Sequence, residues 1–285
     1  MELVILSPHL DDGVFSLGGL MARAVAEGAK VTVVTFYTTG SAPPERPRRF
    51  GRLLNYDERR AEDRRALSFL GASHLWLEYR ERFFRSPRPK SPLGVFTTPC
   101  TVAHPIFCNV ESQVRAIRAL MEDHPGAQFL APLGIGNHAD HVELFLASVA
   151  AVLQGDAFDR FGFYEDAYVL FGKARSEHFV AARRPYGPGQ APHRASLQTR
   201  AMALVMDWAR RGTPLETLLP PAGHRLRWRC VPEAMEEHLA VKLEAMALYP
   251  SQLEPLGGRQ TWGRMLEGYH RFWDGAEPIW RVSPS

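Results

Sequence analysis

The chain reads as an α/β protein: a Rossmann-like, mostly parallel sheet with helices on both faces, plus a less regular C-terminal part. Three observations predict this. Short apolar runs alternate with stretches of helical periodicity as far as Tyr164. Glycines such as Gly28 and Gly71 close the helical stretches. Histidines and aspartates gather where two of the apolar runs end, which is where open parallel sheets place their chemistry.

The elements follow in order. Glu2–Leu6 is strand-like. Val14–Gly28 carries Leu17, Leu20, Met21, Ala24 and Val25 at helical spacing. Val31–Phe36 is β-branched and continuous, as in a buried parallel strand. Pro43–Arg52 is a polar loop, Tyr56–Leu70 an amphipathic helix, and His74–Leu77 a short strand. Arg80–Cys108 is irregular and rich in Pro, Phe and Arg; a loop of that length inside a compact fold is usually functional. Asn109–Asp123 is helical with Asn109 as its cap, Gln128–Leu133 a strand, Gly134–Asp140 a loop, and His141–Leu153 a helix. Beyond them, Phe161–Tyr164 and Tyr168–Phe171 are short strand candidates, Pro185–Pro192 an exposed loop, and Glu233–Leu248 a helix. No linker divides the chain. It is read as one domain over 1–285, with the part from about 175 an elaboration.

The composition bounds the function. The chain has 285 residues, 45% of them hydrophobic and 23% charged, which suits a globular protein. A net charge of +3 is too small to argue for nucleic acid, and the Arg clusters have acids beside them. Cys100, Cys108 and Cys230 form no CxxC, so a cysteine metal site is not expected, and the sparse set suggests a reducing compartment. No apolar run approaches the ~20 residues of a membrane span, and the N-terminus starts straight into a strand. The expected location is the cytoplasm; nothing speaks against a homo-oligomer.

Two motifs carry chemistry. Ser7-Pro8-His9-Leu10-Asp11-Asp12-Gly13 follows the first strand, and Gly134-Ile135-Gly136-Asn137-His138-Ala139-Asp140-His141 follows a later one. In a doubly wound sheet two such loops converge on one crevice. His9, Asp12 and one histidine of the second loop would give three ligands with an open position, the pattern of a catalytic zinc-type site. Asp11 beside them could serve as the base, and the remaining histidine as an acid or oxyanion donor. Each motif also has a plainer reading. Asp caps helices, and His138 and His141 could be surface polar residues. Gly134-x-Gly136-x-x-Ala139 also fits a loose dinucleotide fingerprint, but the histidines crowd the place a pyrophosphate would take. No G-x-S-x-G elbow is present.

These residues resemble a known family. Pro8-His9-Leu10-Asp11-Asp12 with Gly18-Gly19 resembles the opening motif of the LmbE-like (PIG-L) N-acetylglucosamine deacetylases, and His138-Ala139-Asp140-His141 their HxDH motif. Arg60-Ala61-Glu62 to Ala66, Phe163–Asp166, Lys242 and Tyr249–Gln252 resemble supporting motifs. The resemblance implies a Rossmann-like fold, Zn²⁺ or another divalent ion such as Fe²⁺, and hydrolysis of an N-acetyl group on a small sugar conjugate. It implies His9, Asp12 and His141 as metal ligands, Asp11 as general base, and His138 oriented by Asp140. Arg60, Glu81, Arg85 and Tyr164 are candidate substrate contacts, with Trp76 beside them. Two departures stand out: Gly13 where many members carry an acid, and Gly136 where some carry a tyrosine. The rival functions are a metal-dependent amidase acting on a larger thiol or glycoconjugate, a non-catalytic sugar-binding module, and a dinucleotide enzyme.

Overall fold

The computed structural model describes residues 1–40, 52–169, 173–187, 190 and 197–285. The strands are β1 (Glu2–Ser7), β2 (Lys30–Thr39), β3 (Ser73–Arg80), β4 (Thr97–Thr98), β5 (Ala127–Pro132), β6 (Phe161–Tyr164), β7 (Arg211–Gly212), β8 (Arg227–Ala234) and β9 (Ala276–Ser283). The helices are α1 (Asp12–Ala26), α2 (Tyr56–Phe69), α3 (Val110–Asp123), α4 (Ala139–Gly155), α5 (Ala174–Glu177), α6 (Leu197–Ala209), α7 (Leu239–Met246), α8 (Pro250–Leu253) and α9 (Gly258–Phe272).

Seven strands form one sheet in the order β3-β2-β1-β5-β6-β9-β8. The first five are parallel; β9 runs antiparallel to β6 and to β8. Leu3–Leu6 of β1, the middle one of the five parallel strands, are buried on both sides as a continuous apolar strand must be. The chain runs outward from β1 through β2 to β3, then crosses back to place β5 on the other side of β1. Right-handed crossovers that reverse there put α1 and α2 on one face and α3 and α4 on the other. The reversal opens a crevice beyond the C-terminal ends of β1 and β5.

The parallel half follows the expected elements closely, and the sheet is the expected class. The later part differs. Tyr168 lies in a 3-10 turn, Ala167–Val169, rather than a strand, and residues 170–172 lie outside the described residues. Glu233–Leu248 is not one helix. Glu233 and Ala234 pair with β9 as the end of β8, and only Leu239–Met246 is α-helical. The loop at 43–51 and most of 188–196 also lie outside the described residues.

The C-terminal elements finish the sheet and brace α1. This helix loses helical geometry at Leu17. The groups around that break are met from elsewhere: Glu277 on β9 accepts the Gly19 and Leu20 N–H groups at 3.3 and 2.8 Å, and Lys242 on α7 donates to the Ser16 carbonyl at 3.0 Å and to Glu277 at 2.6 Å. Gly18 and Gly19 permit the approach, since a Cβ on Gly18 would meet Lys242 Cγ at 3.0 Å and one on Gly19 would meet Glu277 Oε1 at 3.2 Å.

Candidate metal and active site

Loops beyond the parallel strands build one buried cluster. His9, Asp11 and Asp12 follow β1. Glu81, Arg82 and Arg85 follow β3; His138, Asp140 and His141 follow β5; Asp166 follows β6.

The first loop is fixed by its own hydrogen bonds. Ser7 Oγ donates to the His9 carbonyl at 2.6 Å and accepts the Gly13 N–H at 2.9 Å. A Cβ on Gly13 would meet Ser7 Oγ at 3.3 Å and Val33 Cγ1 at 3.4 Å. Gly13 therefore seats the first turn of α1 tightly on β1 and β2, and a larger residue there would need its neighbours to give. Asp11 occupies the N-cap position of α1 but makes no side-chain cap. Arg59 Nη2 on α2 donates to it at 3.0 Å instead.

The second loop bends through positive φ at Gly134, Gly136 and Asn137 (71°, 94° and 63°). Two of those positions suit glycine, and Asn tolerates the third. The turn leaves His138 as the N-cap of α4, its Nδ1 accepting the Asp140 N–H at 3.3 Å. A neutral ring in that arrangement carries its proton on Nε2.

Three donor atoms meet where the loops converge. Asp12 Oδ2 lies 3.0 Å from His9 Nδ1 and 3.1 Å from His141 Nε2, and the two nitrogens are 3.3 Å apart. The far side of each ring meets an acid: Asp140 Oδ2 is 3.1 Å from His9 Nε2, and Asp166 Oδ1 is 2.6 Å from His141 Nδ1. Carboxylates behind ligand histidines fix ring orientation and tautomer. Asp140 also accepts the Arg82 N–H at 2.9 Å, and Asp166 the Ile135 N–H at 2.9 Å.

The electrostatics call for a cation. Burial works to lower the His9 pKa, yet hydrogen bonds to Asp12 and Asp140 raise it to about 10. Burial likewise opposes Asp12 and Asp166 at His141, which still rises to about 9. Burial disfavours charge on Asp12, but His141 and His9 hold it well below the usual carboxylate range. Asp11 moves the other way, raised by burial and by the Asp12 charge against the pull of Arg59. Burial lowers the His138 pKa well below the ordinary value, assisted by positive charge on His9. Two buried imidazoles and a carboxylate facing one point, drawing positive charge to it, match the ligand chemistry of a zinc-type ion. Two wider groupings, His9 with His138 and His141, and His9 with Glu81, His138 and Asp140, also fall within 4.8 Å. The Asp12 set lies within 3.3 Å, and its rings are the ones backed by acids.

The model for PIG-L, described as GlcNAc-PI de-N-acetylase, matches residues 4–152. The chain belongs to the PIG-L family. It is 31% identical over 166 residues to the 2'-N-acetylparomamine deacetylase of Streptomyces fradiae, spanning 57% of this chain and 56% of that protein's length. Among solved structures it resembles a deacetylase–bog complex from the teicoplanin biosynthesis pathway (TM-score 0.68, 21% identity, 100% and 99% of the two chains). It also resembles a zinc-inhibited form of teicoplanin deacetylase (TM-score 0.66, 20% identity, the same coverage). At such identities the structures speak for the fold.

The PIG-L motifs distribute differently from the expected substrate contacts. Arg60 is not in the site: it lies over the Trp76 ring, 5.3 Å from its centroid, with Arg64 at 5.0 Å on the same indole. The arginine that reaches the cluster is its neighbour Arg59, bound to Asp11 and 3.3 Å from Glu81. Glu62 instead holds Ser251, accepting its N–H at 3.0 Å and its hydroxyl at 2.5 Å, while Asp63 accepts from Tyr249 and Trp76 at 2.8 Å each. The late Tyr-x-Ser-Gln motif thus anchors α2. Tyr164 is turned away, its buried hydroxyl donating to the Leu6 carbonyl at 2.9 Å, so it offers no oxyanion contact. Arg85 is buried among acids of the protein and is no free substrate contact. Glu81 does face the cluster; burial pushes its carboxyl up to about 7. The Asp140 carboxylate meets His9 and Arg85, so only its backbone N–H serves His138.

Sequence reasoning passed over Arg59, Tyr168 and Phe96. The Tyr168 ring lies 4.6 Å from His141, and Phe96 5.3 Å from His138, together walling the histidines. Asp166 carried a signal, in the motif around Tyr164, but not a role.

Proposed function

We propose that this protein is a metal-dependent hydrolase that removes the N-acetyl group from an N-acetylglucosaminyl-type sugar conjugate, releasing acetate and a free amine. The observation that carries the reading is the meeting of His9, Asp12 and His141 donor atoms within 3.3 Å, with Asp11 and His138 beside them. The family and the 2'-N-acetylparomamine deacetylase support the substrate class.

His9, Asp12 and His141 would hold the ion, Zn²⁺ or Fe²⁺. When bound, such an ion polarises an amide carbonyl and lowers the pKa of its water towards about 7. Asp11 takes the proton of the attacking water as general base. Its raised pKa, in a carboxyl steadied by Arg59, suits that task better than an ordinary aspartate would. His138, proton on Nε2, donates a hydrogen bond to the developing oxyanion, and the proton that Asp11 has taken from water passes to the departing amine. Asp140 and Asp166 keep the ligand rings in place. Glu81, which accepts from Arg59 and the Tyr56 hydroxyl, holds the guanidinium that steadies Asp11.

The test is an amine-release assay on protein of known metal content, over N-acetylated sugars, bulkier sugar amides and thiol conjugates. Turnover of N-acetylated sugars that rises with metal content is expected. Turnover confined to bulkier amides would replace the reading with the amidase alternative. Saturable sugar binding without turnover at any metal loading would replace it with a binding module.

A further inference from the structure

We infer that Arg85 is a positioning residue: its guanidinium fixes the Asp140 carboxylate against His9 and thereby sets how tightly His9, Asp12 and His141 hold a divalent ion. The inference rests on the reading that those three residues bind one.

Arg85 comes from the irregular stretch after β3, yet it is buried, its guanidinium between α4 and Tyr37 of β2. Nη2 donates to Asp140 Oδ1 at 2.5 Å, and Nη1 donates to Glu143. The two acids lie three residues apart on α4, so one planar fork spans neighbouring positions on that helix. Each part of the clamp is itself held. Glu143 accepts from the Tyr37 hydroxyl at 2.5 Å and the Asn109 N–H at 2.5 Å. The guanidinium sits 5.2 Å from the Tyr37 ring centroid, and the Arg85 carbonyl accepts from Arg82 Nη1 at 3.2 Å.

The consequence falls on the other Asp140 oxygen. With Oδ1 taken by Arg85, Oδ2 is presented to His9 Nε2 and to the Arg82 N–H. Asp140 stands at the start of α4 and has a rotamer to choose; Arg85 chooses the one that leaves His9 Nδ1 facing Asp12 and His141. Groups that orient ligand histidines in this way typically change metal affinity 10–100-fold when removed.

The sign of the effect separates this role from its competitors. Deleting a positive charge near the site would, by Coulomb's law alone, make it bind a cation more tightly. A purely structural clamp would lower stability and leave affinity unchanged. Only positioning predicts weaker binding from a charge change that favours it.

The experiment measures the zinc dissociation constant of metal-free protein by competition with a chromophoric chelator, for the parent, Arg85→Gln and Arg85→Lys. Urea unfolding of each metal-free variant reads the structural cost separately. Arg85→Gln is expected to bind zinc about 10–100-fold more weakly. Arg85→Lys, which cannot span both acids with a fork, is expected to fall between it and the parent. Either variant decides the matter if the other fails to fold: affinity equal to or tighter than the parent's overturns the inference. A parent that takes up no zinc overturns the reading beneath it instead.

Discussion

Buried charge is balanced differently at the sheet's C-terminal edge than behind α1 and at the end of β6. Behind α1 and at the end of β6, each acid has a cation and a full set of donors. Glu277 takes Lys242 and two backbone N–H groups; Glu165 takes Arg175 through two nitrogens, the Tyr269 hydroxyl at 2.8 Å and the Trp280 indole at 3.1 Å. At the sheet's C-terminal edge, Asp11, Asp12, Glu81, Asp140, Glu143 and Asp166 outnumber the permanent cations about them among the described residues: Arg59 and Arg85 in ion pairs, Arg82 beside Asp140 and Glu143, with histidines asked to supply the rest. A buried acid without a cation is costly, so such an excess persists only where something else is gained. The balanced clusters hold the fold; the acid-rich one has pKa values driven apart, as the proposed metal site requires.

The comparison predicts opposite phenotypes. Asp11→Asn in the acid-rich cluster is expected to lower amine release about 10²–10⁴-fold, the usual worth of a positioned base, with metal content and unfolding midpoint near the parent's. Acetate release within tenfold of the parent rate, with metal bound, would remove Asp11 from the base's role. Glu277→Ala in the balanced cluster is expected to cost about 3–5 kcal/mol in urea unfolding, because it strands the Lys242 ammonium and two N–H groups. Replacing Lys242 and Glu277 together with Met and Leu should cost much less. A loss under about 1 kcal/mol for Glu277→Ala would mean the cluster is not balanced in the sense argued.

How far the sequence foretold these places follows the same division. The parallel half was legible because buried parallel strands are continuous apolar runs and their helices show periodicity. The two loops were legible because His and Asp grouped at the ends of two parallel strands converge on one crevice, where a ligand is the natural occupant. The rest depended on angles and distant partners. On the amphipathic helix Tyr56–Phe69 the buried face itself includes charged residues, so the apolar spacing did not tell Arg59 from Arg60, which lie about 100° apart around the helix. Arg227–Ala234 alternates charged with apolar residues and contains Pro232, as an edge strand can, and its helix-favouring end ran on into Leu239–Met246 without a break. Arg85 and Asp166 acquire their roles only from partners 55 and 25 residues away.

A last prediction tests the seam between the two regions. His178, just after α5, reaches the loop that carries His138 and His141: its Nε2–H donates to the Leu133 carbonyl at 3.2 Å, and its Nδ1 accepts the Val180 and Ala181 N–H groups at 3.3 Å each. A second proton would have to go on Nδ1, against two donors already aimed there. Burial, with a minor share from Arg175, lowers its pKa from 6.5 to about 3. Below the unfolded value near 6.5 the unfolded chain takes up a proton that the folded one refuses. The stabilisation from His178 is therefore complete above about pH 6.5 and is lost as the pH falls towards about 3. Glu81 and Asp63, both raised by burial to about 7, act in the opposite sense between the ordinary carboxylate range and about 7, so the parent's own pH profile blurs the effect. A difference between two proteins does not. His178→Gln keeps one donor and one acceptor but cannot titrate. Its deficit relative to the parent, measured by urea unfolding, is expected to shrink by about 1.4 kcal/mol per pH unit between pH 6 and pH 4. A deficit constant across that range would mean that His178 accepts its proton in the folded protein, and that the loop carrying His138 and His141 is not pinned by a neutral imidazole.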